Sequence, residues 1–432
     1  MDEQRVDVVG YLPDDTPPIG KLIVFALQHV IVMFPATVLV AILTGFDVGV
    51  TIVASGVATL GFILVTRRRI PLYYGSSFSY IAAVSGVARV AGVQAAQCGI
   101  VGSGLVSILA GWLVKTFGQK VIKRILPPVV TGSVAIVIGI ALAFTAMNMA
   151  SLNWTAALIT LMSTILFSAF LKGTLGQLPV LFGVVVGYVA SLAMGIVDFK
   201  PIQEAAFFAV PKFTLPVWSP SALLAIMPVA IATIPESTAH LYQIDLYVND
   251  VAGKLGRAKK YGIAGLLGEN LIGDGVGDMI AGAIGGPAGT NYGENNSLMA
   301  ITRNFSVPVI MTAAVFAIIM GFFGWIAGVV NSIPTAVIGG VSIYLFGVIG
   351  GQGVALMISE KVDLFDPRNL AIAATILVIG IGGSFFTDPA ALKAGTLAFT
   401  GTIPIWGMQL PAIATASVFG MALNLVFEAF KK

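Results

Sequence analysis

Residues 285–303 read GGPAGTNYGENNSLMAITR, and the order of residue types within them decides how the chain folds. The first half, Gly285 to Gly293, is rich in glycine and holds Pro287. Such a composition resists a helix, because glycine loses the most backbone freedom on ordering and proline lacks a donor. From Gly293 onward the residues suit a helix, with Glu294 in its first turn, where the positive end of the helix dipole favours a carboxylate. A second stretch has the same layout: Arg69-Ile70-Pro71-Leu72-Tyr73-Tyr74-Gly75 is extended, and a short helix-compatible run follows it. Both stretches sit in a chain that is 57% hydrophobic, with a mean hydropathy of +0.96 and only 23 Lys and Arg and 20 Asp and Glu among 432 residues. That composition cannot clothe a soluble domain, so an all-α polytopic membrane protein is expected. Non-helical backbone at membrane depth must be satisfied by protein or by a polar cavity, which places both stretches at a binding site and not against lipid.

Working outward, apolar runs between charged or Pro/Gly breaks give fourteen spans. The first seven are Gly20–Leu43, Val48–Thr66, Pro71–Val87, Val93–Phe117, Pro127–Met149, Thr155–Leu171 and Leu178–Met194. After a polar stretch from Asp198 to Pro220 come Ala222–Val248, Tyr261–Ile284, Ala288–Arg303, Pro308–Val330, Pro334–Ser359, Arg368–Ser384 and Gln409–Phe430. An even number of spans puts both termini on one side. With the termini cytoplasmic, 19 of the 23 basic residues fall inside, leaving Arg89, Lys200, Lys212 and Lys393 outside. The leading MDEQRVDVVGYLPDDTPP mixes acids with bases and reads as a short polar tail, not a signal peptide. A net charge of +3 with scattered basic residues argues against a nucleic-acid partner. The single cysteine, Cys98, forms no internal disulfide and makes a cysteine-based metal site unexpected; no metal or cofactor is expected at all.

Seven spans per half is an odd number, so the halves insert with opposite orientation, the inverted-repeat arrangement of many secondary transporters. Self-similarity agrees. Tyr74-Gly75-Ser76-Ser77 in span 3 returns as Tyr292-Gly293-Glu294-Asn295 in span 10, an offset of 218 in a chain whose half-length is 216. Gln177-Leu178-Pro179 before span 7 returns as Gln409-Leu410-Pro411 before span 14. Spans 3 and 10 are then half-helices whose N-termini, with their free N–H groups, converge near the midplane from opposite sides.

Ionisable groups inside spans cost at least about 2.5–3.5 kcal/mol each, so every one needs a reason. Span 8 holds Glu236, just after Pro235, with His240 one turn later on the same face. A desolvated carboxylate beside an imidazole can take up and release a proton as its surroundings alternate between wet and dry. A mutually satisfied structural pair is the plainer alternative. Glu294 is either a ligand at the helix start or an N-terminal cap, although capping favours Asn, Ser or Asp, and Asn295 stands beside it. Asp274 and Asp278, four apart in span 9, face a vestibule or supply internal hydrogen bonds. His29, beside Gln28 in span 1, is read as a supporting hydrogen-bond partner. Two carboxylates, backbone N–H donors and aromatic neighbours such as Phe78 and Tyr292 suit a small planar solute with alternating N–H and C=O groups, which describes a nucleobase. Two acids with no buried base would repel an anion.

At these residues the chain resembles the nucleobase–ascorbate transporter family, also called nucleobase:cation symporter-2, and within it the bacterial uracil permeases. The likeness runs from about Leu22 to Phe430. It is carried by Gln28-His29, IPLYYGSSFSYI (70–81), LPPVVTG (126–132), Glu236 with His240, and above all TNYGENNSLMAITR (290–303). The resemblance implies a core domain made of residues 1–124 and 221–331 and a gate domain made of 125–220 and 332–432. It also implies a homodimer in the inner membrane and proton-coupled uptake, with uracil first and a purine base such as xanthine second. It casts Glu236 and Glu294 as substrate-binding acids, the backbone of Phe78 and Gly293 as amide donors, and Ala36, Tyr292 and Phe346 as pocket wall. His240 with Glu236 would couple protonation, and His29, Asn295 and Asp274 would support the site. The sequence departs from the pattern at Ser297, where the signature has Gly, and at Glu236-Ser237-Thr238-Ala239-His240, where uracil permeases show Glu-His-x-Gly-His; the Glu-Ser/Thr-Thr form is closer to purine-transporting relatives. Asp278 stands where a small or hydroxyl residue is usual. The rivals are an anion carrier of the related sulfate-transporter fold, an intramembrane hydrolase using Ser237 and His240, and a channel.

Overall fold

A computed structural model describes residues 10–118, 124–257, 259–387, 401–405 and 408–430. Six of the basic residues in the sidedness count, Arg5, Lys120, Lys123, Lys393, Lys431 and Lys432, lie outside these.

The first half runs α1 (Ile19–Thr44), α2 (Val48–Val65), β1 (Tyr74–Ser76), α3 (Ile81–Ala91), α4 (Val93–Phe117), α5 (Pro128–Ala141), α6 (Ala143–Ser151), α7 (Trp154–Phe170) and α8 (Pro179–Ala193). The second half runs α9 (Pro220–Ile226), α10 (Ala230–Lys254), α11 (Leu267–Ile284), β2 (Gly289–Asn291), α12 (Gly293–Thr302), α13 (Val307–Gly321), α14 (Gly324–Asn331), α15 (Thr335–Ser359) and α16 (Pro367–Leu377). A hairpin, β3 (Thr402–Ile405) with β4 (Met408–Pro411), then leads into α17 (Ala412–Ala429). The helix starts follow local chemistry. Asp47, Asn153, Ser219 and Asp366 cap α2, α7, α9 and α16 with their side chains, and Pro128, Pro179, Pro220 and Pro367 occupy first turns where no donor is missed.

Among the described residues, seven helical stretches are long and apolar enough to cross a bilayer: α1, α2, α4, α5–α6, α9–α10, α15 and α17. The pair α13–α14 would make an eighth, but it bends by 76°. The sequence predicted one span there, over Pro308–Val330, and gave no sign of the bend. The bend has a packing cause: the Asp198–Pro220 stretch docks into it, with Ala209 N–H donating to Phe322 O at 2.9 Å and the Phe207 and Phe208 rings against Phe323. Another difference lies at the N-terminus. The segment expected to be a polar tail is bound along the ends of α12 and α13: Tyr11 N–H donates to Arg303 O at 2.9 Å, Phe305 N–H to Tyr11 O at 2.8 Å, and Leu12 is fully buried.

The helices pack as two sets. In one, α4 lies along α11, α2 along α13 and α11, and α1 along α13; in the other, α15 packs on α5, α6 and α7, with α7 on α8 and α16 on α17. Lipid offers no hydrophobic drive for helix association, so close backbone approach supplies the attraction. At the α4–α11 contact a Cβ on Gly104 would stand 2.4 Å from the Gly275 carbonyl oxygen, and one on Gly275 equally close to that of Gly104.

The two proline- and glycine-rich stretches meet. Strands β1 and β2 pair antiparallel, Tyr74 with Asn291, Gly75 with Thr290 and Ser76 with Gly289. The ladder continues at both ends, Ser77 N–H to Ala288 O at 3.0 Å and Tyr292 N–H to Tyr73 O at 2.9 Å. The extended backbone required protein partners, and each stretch supplies part of the other's, while the Tyr74 N–H donates to Thr59 Oγ1 on α2 at 3.0 Å. Immediately after the strands the chain turns into α3, through a 3-10 turn at Phe78–Tyr80, and into α12.

Candidate functional site

The starts of α3 and α12 flank this crossover. The first N–H groups of a helix have no partner within it, and those of these two helix starts include the amides of Phe78, Gly293 and Glu294. Glu294 is half-buried in the first turn of α12. Glu236 follows Pro235 inside α10, where the missing proline N–H removes the helical bond to the Ile231 carbonyl. Its side chain keeps accessible surface within a helix packed on α4, α11 and α12. Glu294 lies within electrostatic reach of both Glu236 and His240.

His240 Nδ1 is 2.9 Å from Asn291 O and 2.9 Å from Asn291 Oδ1. Both are acceptors, so Nδ1 carries a proton, and Nε2 takes no part in these bonds. That nitrogen faces Gly293, where an added Cβ would stand 2.9 Å from it. The imidazole thus spends its Nδ1 proton on Asn291, which is the side-chain partner the structure gives it.

Behind Asn291 is a network that the sequence did not reveal. Its Nδ2 donates to Ser237 Oγ at 3.0 Å and to Asn270 Oδ1 at 3.3 Å; Asn270 Nδ2 also donates to Ser237 Oγ, at 2.6 Å; and Ser237 Oγ donates to Asp274. The Ser237 hydroxyl therefore accepts twice and donates once, which exhausts it. Its proton points to Asp274 and not to His240, so the nucleophile–base pair needed by a hydrolase is not formed. Of the two expectations for Asp274 and Asp278, internal hydrogen bonding is what the structure has. Asp278 Oδ1 accepts from Tyr74 Oη at 2.5 Å and from Gly289 N–H at 2.7 Å. The i, i+4, i+8 spacing of Asn270, Asp274 and Asp278 was the available signal that one face of α11 is polar.

The other candidates fall into place around the crossover. Asn295 Nδ2 donates to His29 Nδ1 at 2.9 Å and to His29 O at 3.2 Å, fastening α12 to α1. His29 Nδ1 is an acceptor there, so its proton sits on Nε2. Tyr292 Oη shares a hydrogen bond of 2.9 Å with Thr37, and its ring lies against Gly75 and beside Tyr73, with centroids 6.5 Å apart and planes 19° from parallel. That ring is engaged by protein. Phe78 is half-buried where the two helix sets meet, against the cluster of Leu39, Ile338 and Val341 and that of Val40, Ile81 and Phe346. Ala36, 7% exposed, belongs to the main core cluster with Met33 and Tyr292.

Comparison with known proteins gives the same direction. The family model Xan_ur_permease, described as a permease family, matches residues 20–388. The uracil permease of Bacillus caldolyticus is 40% identical over 429 residues, covering 95% of this chain and 93% of its own. The uracil permease of Bacillus subtilis strain 168 is 39% identical over 437 residues, covering 97% and 95%. Among solved structures, the transmembrane domain of a cyanobacterial bicarbonate transporter, BicA, aligns with a TM-score of 0.57 at 16% identity, over 85% of this chain and 96% of that one, a likeness of fold alone. With a family match across most of the chain and such relatives over nearly its whole length, the protein is a multi-pass membrane permease and belongs to the nucleobase–ascorbate transporter family.

Proposed function

We propose that the protein carries uracil across the inner membrane together with protons. The observation that supports this most is the gathering of Glu236, His240 and Glu294 at the start of α12, opposite the start of α3. In this proposal the carboxylates of Glu236 and Glu294 accept the ring N–H groups, the Phe78 and Gly293 amides donate to the carbonyl oxygens, and Ala36, Tyr292 and Phe346 complete the wall. Glu236 and His240 exchange the coupled proton, with Asn291 fixing the imidazole; His29, Asn295 and Asp274 hold the surrounding elements. The chain would cross the bilayer fourteen times as two inverted seven-span repeats with both termini cytoplasmic. Residues 1–124 with 221–331 would move as a core against a gate of 125–220 with 332–432, in a homodimer.

The uracil permeases among the relatives support uracil as the first substrate. The departure at Ser237, which resembles purine carriers, has another account: this side chain is buried in the Asn270–Asp274–Asn291 network and does not face the site. A carboxylate at Glu294 sets the site apart from an anion carrier, for which a base or dipoles alone would stand there. Uptake of labelled uracil into proteoliposomes under an imposed pH gradient, competed with xanthine, adenine and guanine, tests the proposal. Gradient-dependent uptake blocked by uracil is expected. Indifference to the gradient removes proton coupling, and competition by purines alone moves the substrate.

A further inference from the structure

We propose that Asp278 is a positioning residue: its carboxylate sets the depth and spacing of the two helix starts, and through them the affinity for the solute. The inference relies on the nucleobase-transport proposal only for the choice of probe.

Asp278 is 1% exposed in the middle of α11, and an acid at such depth requires compensation. It collects donors from four separate elements. Oδ1 takes Tyr74 Oη from β1 and Gly289 N–H from β2; Oδ2 faces Tyr80 Oη, at the entry to α3, and Ser103 Oγ, on α4, each at 3.4 Å. Tyr80 and Ser103 also share a hydrogen bond, which uses one of their two protons and leaves the other for Oδ2. Three protons are thus directed at this carboxylate, which meets most of its acceptor capacity.

Strands of three residues cannot hold a register alone, since isolated two-stranded ribbons are marginal. Asp278 grips both. The Tyr74 ring lies over Gly277 and Gly289, where an added Cβ would stand 2.5 and 2.6 Å from it, and so delivers its hydroxyl to the same oxygen that holds Gly289. Gly289 is two residues from Asn291, which orients His240, and five from Glu294. A shift of β2 therefore passes directly to the groups proposed to bind. Every partner of Asp278 lies in the helix set built on α4 and α11, so its loss acts on binding and not on the movement of one set against the other.

In proteoliposomes, Asp278→Ala is expected to raise the KM for uracil roughly tenfold, with the maximal rate per folded transporter kept within about twofold. Asp278→Asn keeps an acceptor for Gly289 N–H and Tyr74 Oη and is expected to bring KM back to within about threefold of the parent. An unchanged KM with a lowered maximal rate in the alanine variant, or an asparagine variant no better than alanine, overturns the proposal. Should the alanine variant not fold, Tyr74→Phe removes one donor and keeps the ring; a KM raised roughly threefold supports the proposal and an unchanged one overturns it. If the parent protein neither binds nor carries a nucleobase, the transport proposal fails by itself. Hydrogen exchange then decides the positioning role: in Asp278→Ala, or in Tyr74→Phe if that variant alone folds, amides of residues 74–77 and 289–292 should exchange faster by roughly a hundredfold, with α13 unaffected. Equal protection overturns it.

Discussion

Glu294 stands at a helix start, within reach of another acid and an imidazole, and each of these neighbours makes a separate demand on it. Neutralising it as Glu294→Gln removes a charged acceptor whose hydrogen bond is worth about 1.5–3 kcal/mol, so the uracil Kd measured by calorimetry is expected to rise roughly ten- to a hundredfold. Retained affinity would remove Glu294 from the site. Gly293 is constrained by the His240 ring above it. Gly293→Ala should push the imidazole off Asn291 and lower uptake roughly tenfold while leaving thermal stability near that of the parent; unchanged uptake would show that the ring has room to move. The acids Glu236 and Glu294 and the base His240 were legible as costly residues in apolar runs. Ser237 was not, because its neighbour in sequence is His240 while its partners in space are Asn270, Asp274 and Asn291. Ser237→Ala removes a hydrogen bond from each of three buried side chains, Asn270, Asp274 and Asn291, and is expected to cost about 1–3 kcal/mol, seen as a lower melting temperature in detergent. A neutral outcome would mean that water replaces the hydroxyl.

At the level of elements, proline and glycine told where helices could not begin, and the structure breaks its helices there. The pairing of β1 with β2 was hidden, since its members lie more than two hundred residues apart and a three-residue strand has too little pattern to declare a partner. The α4–α11 contact was equally silent: a glycine marks close approach only when the facing backbone is known. Gly275→Leu would set a side chain against the Gly104 carbonyl, 2.4 Å from its Cβ. It is expected to abolish folding or lower the melting temperature by several degrees, whereas the same change at Gly253, which has open space around it, should be mild. Comparable effects at the two positions would argue against the backbone contact.

Across the whole molecule, Leu39 on α1 and Val341 on α15 share one buried cluster at the meeting of the two helix sets. Joining them through Leu39→Cys and Val341→Cys is expected to arrest uptake, to spare uracil binding, and to be reversed by reductant. The native Cys98 is buried and should contribute little background. Full uptake by the cross-linked protein would exclude motion between the sets at this contact. On the face that carries the N-terminal segment, Asp14 is gripped by Lys259 Nζ at 2.6 Å and Tyr261 Oη at 2.5 Å. Partial burial pushes its carboxyl up, but the Lys259 and Tyr261 hydrogen bonds outweigh this and hold it below the ordinary 3.8. The stabilisation is therefore present above that value and is lost as pH falls through the lower folded value. Being half exposed, the pair contributes little, and exchange at residues 10–15 should rise only modestly on acidification or in Asp14→Asn.

The sequence by itself determined that the chain lives in a bilayer, which two proline- and glycine-bearing stretches could not be helical, and which few ionisable residues sit in apolar runs, because hydropathy, helix-breaking and charge placement are local properties. Only the tertiary structure decided which distant segments hydrogen-bond to one another, where the histidine puts its proton, and why Asp278 is there. Those outcomes depend on which donors meet which acceptors across space, and in a helical membrane bundle the local pattern leaves that choice open.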